Sequence, residues 1–318
     1  MTNDKCTELR DILSQSVQRN LSDAMLLSGG LDSSIIASIA AKLRNLIGVT
    51  VAYRNAPDLM YAKILAEKYS IRHLIKHLTI EDMDDAIENV VRIMKTFDPM
   101  EIRNSSVIYA SLKELKDNGF DSVMTGDGSD ELFIGYNYLQ RFDHEKLKDE
   151  LEKLWQIMHF SSTVIGKELK INVKTPYLDK EFLEFAQRIP IELKIKKEND
   201  VKWGKWILRS CFEYFITKKV AWRRKMPLEE GAGINVFVER FNTSINDIDF
   251  TQKVKFYTSY DSVRIRNKEH LHYYTIYRNF FEAPKTNKYE FRCPDCMAHV
   301  KNDSKFCRTC GAFPIKPE

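Results

Sequence analysis

The sequence predicts an α/β fold, a parallel sheet with helices on both faces, followed by a mainly helical half and a small zinc ribbon. Short apolar runs alternate with helical segments in the first half of the chain, which indicates a parallel sheet covered on both faces. Residues 143–285 have a mainly helical pattern, and four cysteines near the end form two Cys-x-x-Cys pairs. Two such pairs are typical of a four-cysteine zinc site.

The predicted elements place two glycine turns at one edge of the sheet. In parallel sheets of this kind, ligands bind at the carboxyl ends of the strands. The turns at 28–30 and 126–128 both follow a predicted strand. Strands are predicted near 24–27, 47–53, 73–77 and 121–125, and helices at 4–20, 35–42, 58–69, 81–96 and 105–117.

The length of 318 residues allows one large core and a smaller module. We expect an N-terminal helix in residues 1–20, a catalytic domain in 21–285 and the ribbon in 286–318, with a linker at 283–288. The net charge of +4 is weak evidence for nucleic acid binding.

The sequence indicates a cytoplasmic protein with no membrane partner. Its apolar runs are shorter than the roughly 18 residues that a membrane span needs. Its N-terminus has no signal-peptide core. Four of the six cysteines form the C-terminal cluster. We expect the other two, Cys6 and Cys211, to be unpaired thiols, as is usual in the cytoplasm.

A phosphate-binding turn is predicted at Ser28-Gly29-Gly30-Leu31-Asp32-Ser33-Ser34, between a buried strand and a helix. Glycines let the backbone approach an anion closely, and the helix N-terminus offers N–H groups and a positive dipole end. Because no lysine follows the glycines, the turn is not a P-loop. An aspartate beside phosphates, here Asp32, implies a bridging Mg²⁺.

A second glycine turn, Thr125-Gly126-Asp127-Gly128-Ser129-Asp130-Glu131, carries three acidic residues within five positions. Buried together, these carboxyl groups would repel one another and their pKa values would rise. A bound Mg²⁺ removes that repulsion, since it takes one or two carboxylates together with phosphate oxygens. Asp32 and Asp130 are therefore the predicted magnesium ligands.

Both turns resemble known motifs. The first resembles the signature of the PP-loop ATP pyrophosphatases, which have a HUP-like sheet. The second, continued by Leu132-Phe133-Ile134-Gly135-Tyr136, resembles a block of the asparagine synthetase family. Further blocks resemble that family in the same order over residues 20–282, which chance would rarely produce. These blocks begin at Pro57, Asp98, Thr175, Lys205, Val220 and Gly231.

The resemblance implies an ATP-dependent, AMP-forming amide ligase. A substrate carboxylate would attack the α-phosphate of ATP, and a nitrogen nucleophile would then convert the acyl-adenylate into an amide and AMP. Lys205 would stabilise negative charge on phosphate and intermediate, Arg103 would clamp a carboxylate or phosphate, and Asp127 would face the acyl centre. The implied nucleotide ligands are Leu27, Ser28, Gly29, Gly30, Asp32, Ser33, Ser34, Thr125, Gly126 and Gly128.

The acceptor half departs from the family pattern. Asp127 stands where the family usually has Glu, while Asn172 and Lys174 stand where it usually has Glu and Arg. These departures indicate a different or larger acceptor carboxylate, or tolerated drift. The chain also has no room for the N-terminal glutaminase domain of glutamine-using relatives. We therefore expect nitrogen from free ammonia, a separate glutaminase, a carrier, or an amine on the substrate.

The two Cys-x-x-Cys pairs are predicted to hold a structural Zn²⁺, because a segment this short cannot build a core unaided. Zinc ribbons commonly dock proteins or RNA, so either is a candidate partner. Of the phenylalanines at 291, 306 and 313 we expect at least two to pack around the metal. The predicted ligands are Cys293, Cys296, Cys307 and Cys310.

Two other functions stay open at this stage. One is a PP-loop tRNA-modifying enzyme that adenylates a base, which the ribbon and the missing glutaminase favour. The other is a nucleotide-binding homologue with impaired catalysis, which Asp127, Asn172 and Lys174 favour. The second glycine turn and the Lys205 block favour the amide ligase over the tRNA-modifying enzyme.

Overall fold

A parallel sheet and a later hairpin contain the strands of the protein, whose computed structural model describes residues 2–286, 291–301 and 304–316. The strands are β1 (Ala24–Leu26), β2 (Ile47–Ala52), β3 (Arg72–His77), β4 (Ser122–Met124), β5 (Asn172–Lys174), β6 (Ile195–Glu198) and β7 (Val201–Gly204). The first five strands form a parallel sheet in the order β3-β2-β1-β4-β5. Strands β6 and β7 form an antiparallel hairpin.

Helices flank the sheet and build most of the second half of the chain. They are α1 (Thr2–Arg19), α2 (Leu31–Ala40), α3 (Pro57–Lys68), α4 (Ile80–Met94), α5 (Pro99–Asp117), α6 (Ser129–Leu132), α7 (His144–Gln156), α8 (Ser161–Leu169), α9 (Lys180–Arg188), α10 (Ile191–Lys194), α11 (Trp206–Ile216), α12 (Lys218–Ala221), α13 (Leu228–Gly231), α14 (Val236–Ser244), α15 (Asp247–Asp261) and α16 (Lys268–Phe280). Every helix within the described ranges is too short or too polar to cross a bilayer.

The sheet separates two large apolar cores. Successive residues of a strand point to opposite faces, so Ala24 and Met25 of β1 belong to different cores. Helices α4, α5, α8, α14 and α16 cover the face of Ala24, and α1, α2, α3, α9 and α11 cover the face of Met25. Burial on both faces explains the continuous apolar character of the strands. The predicted HUP-like α/β class, with a mainly helical half after it, is confirmed.

The order of the strands decides where a ligand can bind. Strand β1 is central: β2 and β3 lie on one side of it, and β4 and β5, which come later in the chain, lie on the other side. A crevice opens beyond the carboxyl ends of two strands where the order reverses in this way. The glycine turns at 28–30 and 126–128 follow β1 and β4, so both turns lie at this reversal.

Several elements differ from the sequence prediction. Helix α5 begins at Pro99 rather than near 105, because the side chain of Asp98 caps it by accepting a hydrogen bond from the backbone N–H of Met100. Strands β5, β6 and β7 lie in the part expected to be mainly helical. Each is too short for its periodicity to show in the sequence. The linker predicted at 283–288 extends into residues 287–290, which lie outside the described residues.

The C-terminal cysteine module, residues 291–301 and 304–316, packs on the core that contains α4, α5 and α16. The backbone N–H of Phe97 donates to Thr309 O at 2.8 Å, and the hydroxyl of Thr96 donates to Arg308 O at 2.8 Å. The prediction that at least two of the module's phenylalanines are buried is wrong, because Phe291, Phe306 and Phe313 are all exposed. The module obtains its apolar contacts from the core that contains α4, α5 and α16 instead.

The prediction that Cys6 and Cys211 are unpaired thiols is also wrong, since the two residues form a disulfide. Helix α1 packs against α11, and this contact brings together cysteines that are 205 positions apart. A spacing of that size leaves no local signal in a sequence. The cytoplasmic location stays a prediction, and unpaired cysteines no longer support it.

We expect the disulfide to stabilise the folded chain, because it closes a very long loop in the unfolded state. The double variant Cys6→Ala/Cys211→Ala should lose about 2–4 kcal/mol of unfolding free energy relative to the oxidised protein. Urea unfolding with and without dithiothreitol measures this. Reductant should destabilise the wild type and leave the double variant unchanged. Equal sensitivity of both proteins to reductant would contradict the pairing.

Candidate active site

The turn between β1 and α2 is built to receive an anion. Gly30 precedes α2 in an extended conformation and no side chain caps the helix, which leaves its first N–H groups to a ligand. The hydroxyl of Ser28 accepts a hydrogen bond from the Gly30 N–H at 3.2 Å and lies 3.1 Å from the hydroxyl of Ser33. The hydroxyl of Ser34 is buried without a partner in the described part of the chain. The hydroxyls of Ser28 and Ser33, two of the predicted phosphate-binding serines, therefore lie together.

Arg223 and the neighbouring helix α3 hold the backbone of this turn in place. Gly29 has a φ of +68°, and a Cβ there would lie 2.4 Å from the backbone nitrogen of Ala62, so only glycine fits against α3. The guanidinium of Arg223 donates to Gly29 O at 2.9 Å and to the carboxylate of Asp58 at 2.5 Å. It also lies over the ring of Tyr61, at 4.1 Å from the ring centre.

Lys205 joins the two glycine turns. It follows the β6–β7 hairpin, adopts a left-handed conformation with φ +56° and caps α11. The residue is only 4% exposed. Its Nζ lies 2.6 Å from Asp32 Oδ2 and 2.8 Å from Asp130 Oδ1. The hydroxyl of Ser129 adds a second link between the turns by donating to Asp32 Oδ1 at 2.8 Å.

The electrostatics of this cluster favour its ionised form. Burial alone would raise the pKa of Asp130, but the ammonium groups of Lys205 and Lys225 hold that pKa far below its ordinary value. Burial likewise acts to lower the pKa of Lys205, and the charges of Asp130 and Asp32 outweigh it and raise that pKa. Asp130 therefore stays negative and Lys205 positive across the neutral range.

The pair of carboxylates also fits a divalent cation. Asp32 and Asp130 both reach one ammonium group, so the two carboxylates already converge on a single positive charge. Mg²⁺ takes one or two carboxylates and completes its shell with phosphate oxygens and water. The phosphate turn that carries Asp32 lies beside this point. These residues thus fit the magnesium site that the sequence predicts.

Asp127 and Arg103 are held by neighbouring protein groups. The carboxylate of Asp127 accepts hydrogen bonds from the hydroxyls of Thr125, at 2.7 Å, and Ser162. Burial raises the pKa of Asp127, even though these hydroxyls lower it. The guanidinium of Arg103 donates to both carboxylate oxygens of Glu269, at 2.8 and 2.9 Å. The catalytic roles of Asp127 and Arg103 stay predictions.

The remaining predicted nucleotide ligands surround the cluster. Leu27 and Ser28 border a small cavity of about 40 Å³ that residues of β1 and β2 also line. Thr125 and Gly126 lie on the other side, where a Cβ at Gly126 would be 3.1 Å from the Cβ of Asp32. Gly128 has a φ of +93° and packs on Leu178. These contacts hold the second turn closely against the first.

The four cysteines of the C-terminal module converge as predicted. Their sulfur atoms all lie within 4.8 Å of one another and every one is buried. Cys293 and Cys310, like Cys296 and Cys307, have their sulfur atoms 3.7 Å apart. A tetrahedral Zn²⁺ with Zn–S bonds of about 2.3 Å requires sulfur separations of about 3.8 Å. The donor set therefore fits a zinc ion held by four thiolates.

Comparison with known proteins identifies the family. The Asparagine synthase family profile matches residues 8–170 and 165–292. The chain belongs to the asparagine synthase family. Asparagine synthetase B [glutamine-hydrolyzing] of Escherichia coli (strain K12) is 34% identical over 250 residues, which cover 71% of this chain and 45% of that protein. The asparagine synthetase [glutamine-hydrolyzing] of Asparagus officinalis is 32% identical over 232 residues, which cover 66% of this chain and 39% of that protein.

The chain thus spans less than half the length of these curated relatives. A solved structure, NMN synthetase from Francisella tularensis, covers 90% of this chain at 14% identity with a TM-score of 0.39. That score is too low to establish a common fold. Membership of the asparagine synthase family supports an ATP-dependent ligase, and the finer chemistry is a separate question.

Two site residues were missed in the sequence. Lys225 donates to Asp130, and Arg223 contacts Gly29, yet neither was singled out as functional. The signal was present, because both belong to the block Val220–Lys225 that resembles the asparagine synthase family. Nothing in their spacing connects them to residues 29 and 130, since the contacts exist only in the folded chain.

Gly135 leaves room for the cluster, and we expect Gly135→Ala to damage it. An added Cβ would lie 1.8 Å from Asp130 Oδ1 and 2.4 Å from Lys205 Cε, so the ion pair must shift. Misplacement of this size should lower the rate of ATP cleavage about tenfold to a hundredfold. Steady-state pyrophosphate release measures the rate. At Gly119 a Cβ meets open space although φ is +84°, so Gly119→Ala should lose some stability and retain the rate; equal losses of rate in both variants would contradict this role.

Proposed function

We propose that the chain is an ATP-dependent amide ligase that forms AMP and pyrophosphate. The observation that carries the proposal is the contact of Lys205 with Asp32 and Asp130 beside a phosphate-binding turn. Family membership supports a ligase that uses ATP. A pair of carboxylates, a buried lysine and an uncapped helix N-terminus are the parts that phosphate chemistry requires.

In this proposal the phosphate turn holds the β- and γ-phosphates of ATP. The uncapped start of α2 and the hydroxyls of Ser28, Ser33 and Ser34 supply hydrogen-bond donors. Asp32 and Asp130 would hold Mg²⁺, which would supply positive charge to the pyrophosphate leaving group. Thr125 and Gly126 lie on the nucleoside side.

Lys205 is the positive charge of the cluster. Its ammonium contacts the carboxylates of Asp32 and Asp130, so it lies beside the phosphate turn. There it would stabilise the negative charge that develops on the α-phosphate as the substrate carboxylate attacks. Lys225 contacts the same oxygen of Asp130 as Lys205 does and adds a second positive charge to the cluster.

The second half-reaction forms the amide. A nitrogen nucleophile attacks the acyl carbon of the adenylate, the C–N bond forms, and AMP leaves with the electrons of the cleaved C–O bond. The nitrogen comes from ammonia or an amine, and a separate glutaminase or a carrier is a candidate source. The relatives are named glutamine-hydrolyzing synthetases, and glutamine use is not part of this proposal.

The test is the formation of AMP and pyrophosphate from Mg²⁺-ATP, first with aspartate and ammonium and then with a panel of carboxylates. Asp32→Ala and Lys205→Ala should each lower the rate at least about a hundredfold. Lys202→Ala, a change at an exposed lysine on β7, should leave it unchanged. Formation of ADP, or full activity of Lys205→Ala, would contradict the mechanism. Cleavage only with tRNA would favour the tRNA-modifying alternative.

We further propose that the cysteine module binds one structural Zn²⁺. The expected result is one zinc per chain by elemental analysis, and loss of it in Cys296→Ser. Because the module covers Phe97 on the main core, removing zinc should lower the melting temperature of the whole chain by several degrees. Cys6→Ser should keep the metal. A metal-free protein with unchanged melting would contradict the site.

A further inference from the structure

Arg209 is a buried arginine that the proposed mechanism does not use. It lies on α11, one turn after Lys205, and is only 6% exposed. The hydrogen bonds of its guanidinium to the described residues all go to backbone carbonyl groups rather than to a carboxylate. A buried charge is normally paired with an opposite one. The contacts of this guanidinium therefore indicate a different role.

The three carbonyl groups belong to two separate parts of the chain. Arg209 Nε donates to Gly204 O, at the end of β7, at 3.0 Å. Its Nη1 donates to Ala221 O, at the end of α12, and to Arg223 O at 3.0 Å. A guanidinium is a planar fork that holds several acceptors in a fixed geometry. The side chain therefore ties the end of β7 to the segment that follows α12.

That segment needs support, because it has no regular structure of its own. Helix α12 ends at Ala221 and α13 begins at Leu228, and residues 222–227 between them form neither helix nor strand. Irregular segments are the more mobile parts of a fold unless their backbone is held by hydrogen bonds. The bond from Arg209 to Arg223 O supplies such a tie in the middle of the segment.

Both of the tied parts carry an ammonium group that contacts the same oxygen atom. Asp130 Oδ1 lies 2.8 Å from the Nζ of Lys205 and also contacts the Nζ of Lys225. Lys205 directly follows Gly204, and Lys225 comes two residues after Arg223. Two like charges this close repel each other. A single guanidinium that holds both backbones favours this arrangement over one in which the lysines separate.

The guanidinium of Arg209 is itself held in place and charged. Burial lowers its pKa to about 10, and the charges of Asp32 and Asp130 act to raise that pKa. The group is therefore protonated at neutral pH, and each of its N–H groups remains a donor. The ring of Trp203 lies against it, with 5.1 Å between Arg209 Cζ and the ring centre, which adds a cation–π contact.

We propose that Arg209 is a positioning residue, which sets the two ammonium groups on Asp130 to receive the pyrophosphate part of ATP. It acts through the backbone next to Lys205 and Lys225 rather than by touching the ligand. The proposal rests on the proposed function, because that function brings pyrophosphate to this cluster. A purely structural arginine would raise the melting temperature of the chain and leave its affinity for pyrophosphate unchanged.

The test is the binding of Mg²⁺-pyrophosphate to the full chain by isothermal titration, together with the melting temperature. Arg209→Lys keeps the charge but replaces the planar fork by one ammonium group, which cannot hold both parts of the chain in the same way. We expect the affinity to fall about tenfold or more. Arg278→Lys is the matched control, because Arg278 also donates to a backbone carbonyl, that of Phe281, and its other described acceptor, Asp261, lies outside the cluster. This control should keep the wild-type affinity.

A double-mutant cycle shows whether Arg209 acts through Lys225. Lys225→Ala should weaken pyrophosphate binding by itself, and Arg209→Lys should then add little in that background. Additive losses, no loss in Lys225→Ala, or equal losses in Arg209→Lys and Arg278→Lys would overturn the proposal. So would wild-type affinity in Arg209→Lys, even with a lower melting temperature, or a wild-type chain that does not bind pyrophosphate.

This binding needs no turnover, so it is separate from the ligase function. The formation of AMP from ATP, measured on the wild-type chain, reports on that function alone. A wild-type chain that binds pyrophosphate with the expected loss in Arg209→Lys, yet forms no AMP, would contradict the ligase function and support the role of Arg209.

Discussion

The ion pair between one buried lysine and two aspartates is the constraint on which the site depends. Asp32, Asp130 and Lys205 come from three distant parts of the chain; Lys205 is buried and the two carboxylates are partly exposed. The lysine needs these partners, because an unpaired buried charge costs several kcal/mol. Two features of the backbone accompany this contact. Lys205 has a left-handed conformation, and residue 135 is a glycine because a Cβ there would collide with Asp130.

The sequence contains the parts of the site that are local. The phosphate turn, the second glycine turn and the cysteine pairs each lie within a few residues, so their chemistry is readable from residue type and spacing. The roles of Lys225 and Arg223 could not be predicted, because their partners, Asp130 and Gly29, are about a hundred or more positions away in the sequence. The same reason explains the missed disulfide. The strands of the sheet were predicted from apolar runs, whereas the short strand β5 and the hairpin carry too little pattern to be recognised.

The sequence predicts that the acceptor half departs from the family pattern, and the structure shows what two residues of that half contact. Asp127 is one methylene shorter than the Glu usual at this position, and its carboxylate is taken up by Thr125 and Ser162. Arg103 is taken up by Glu269. Two groups expected to face a substrate are thus directed at protein partners.

The docking of the cysteine module on Phe97 has a consequence for how such a chain can evolve. The ring of Phe97 is fully buried among His270, Tyr274 and Tyr277, and its backbone N–H is satisfied by Thr309. A lineage that lost the module would expose an aromatic cluster and an unpaired N–H at once. Loss therefore requires compensating changes on α16 as well, which makes the module hard to discard and difficult to acquire by simple fusion.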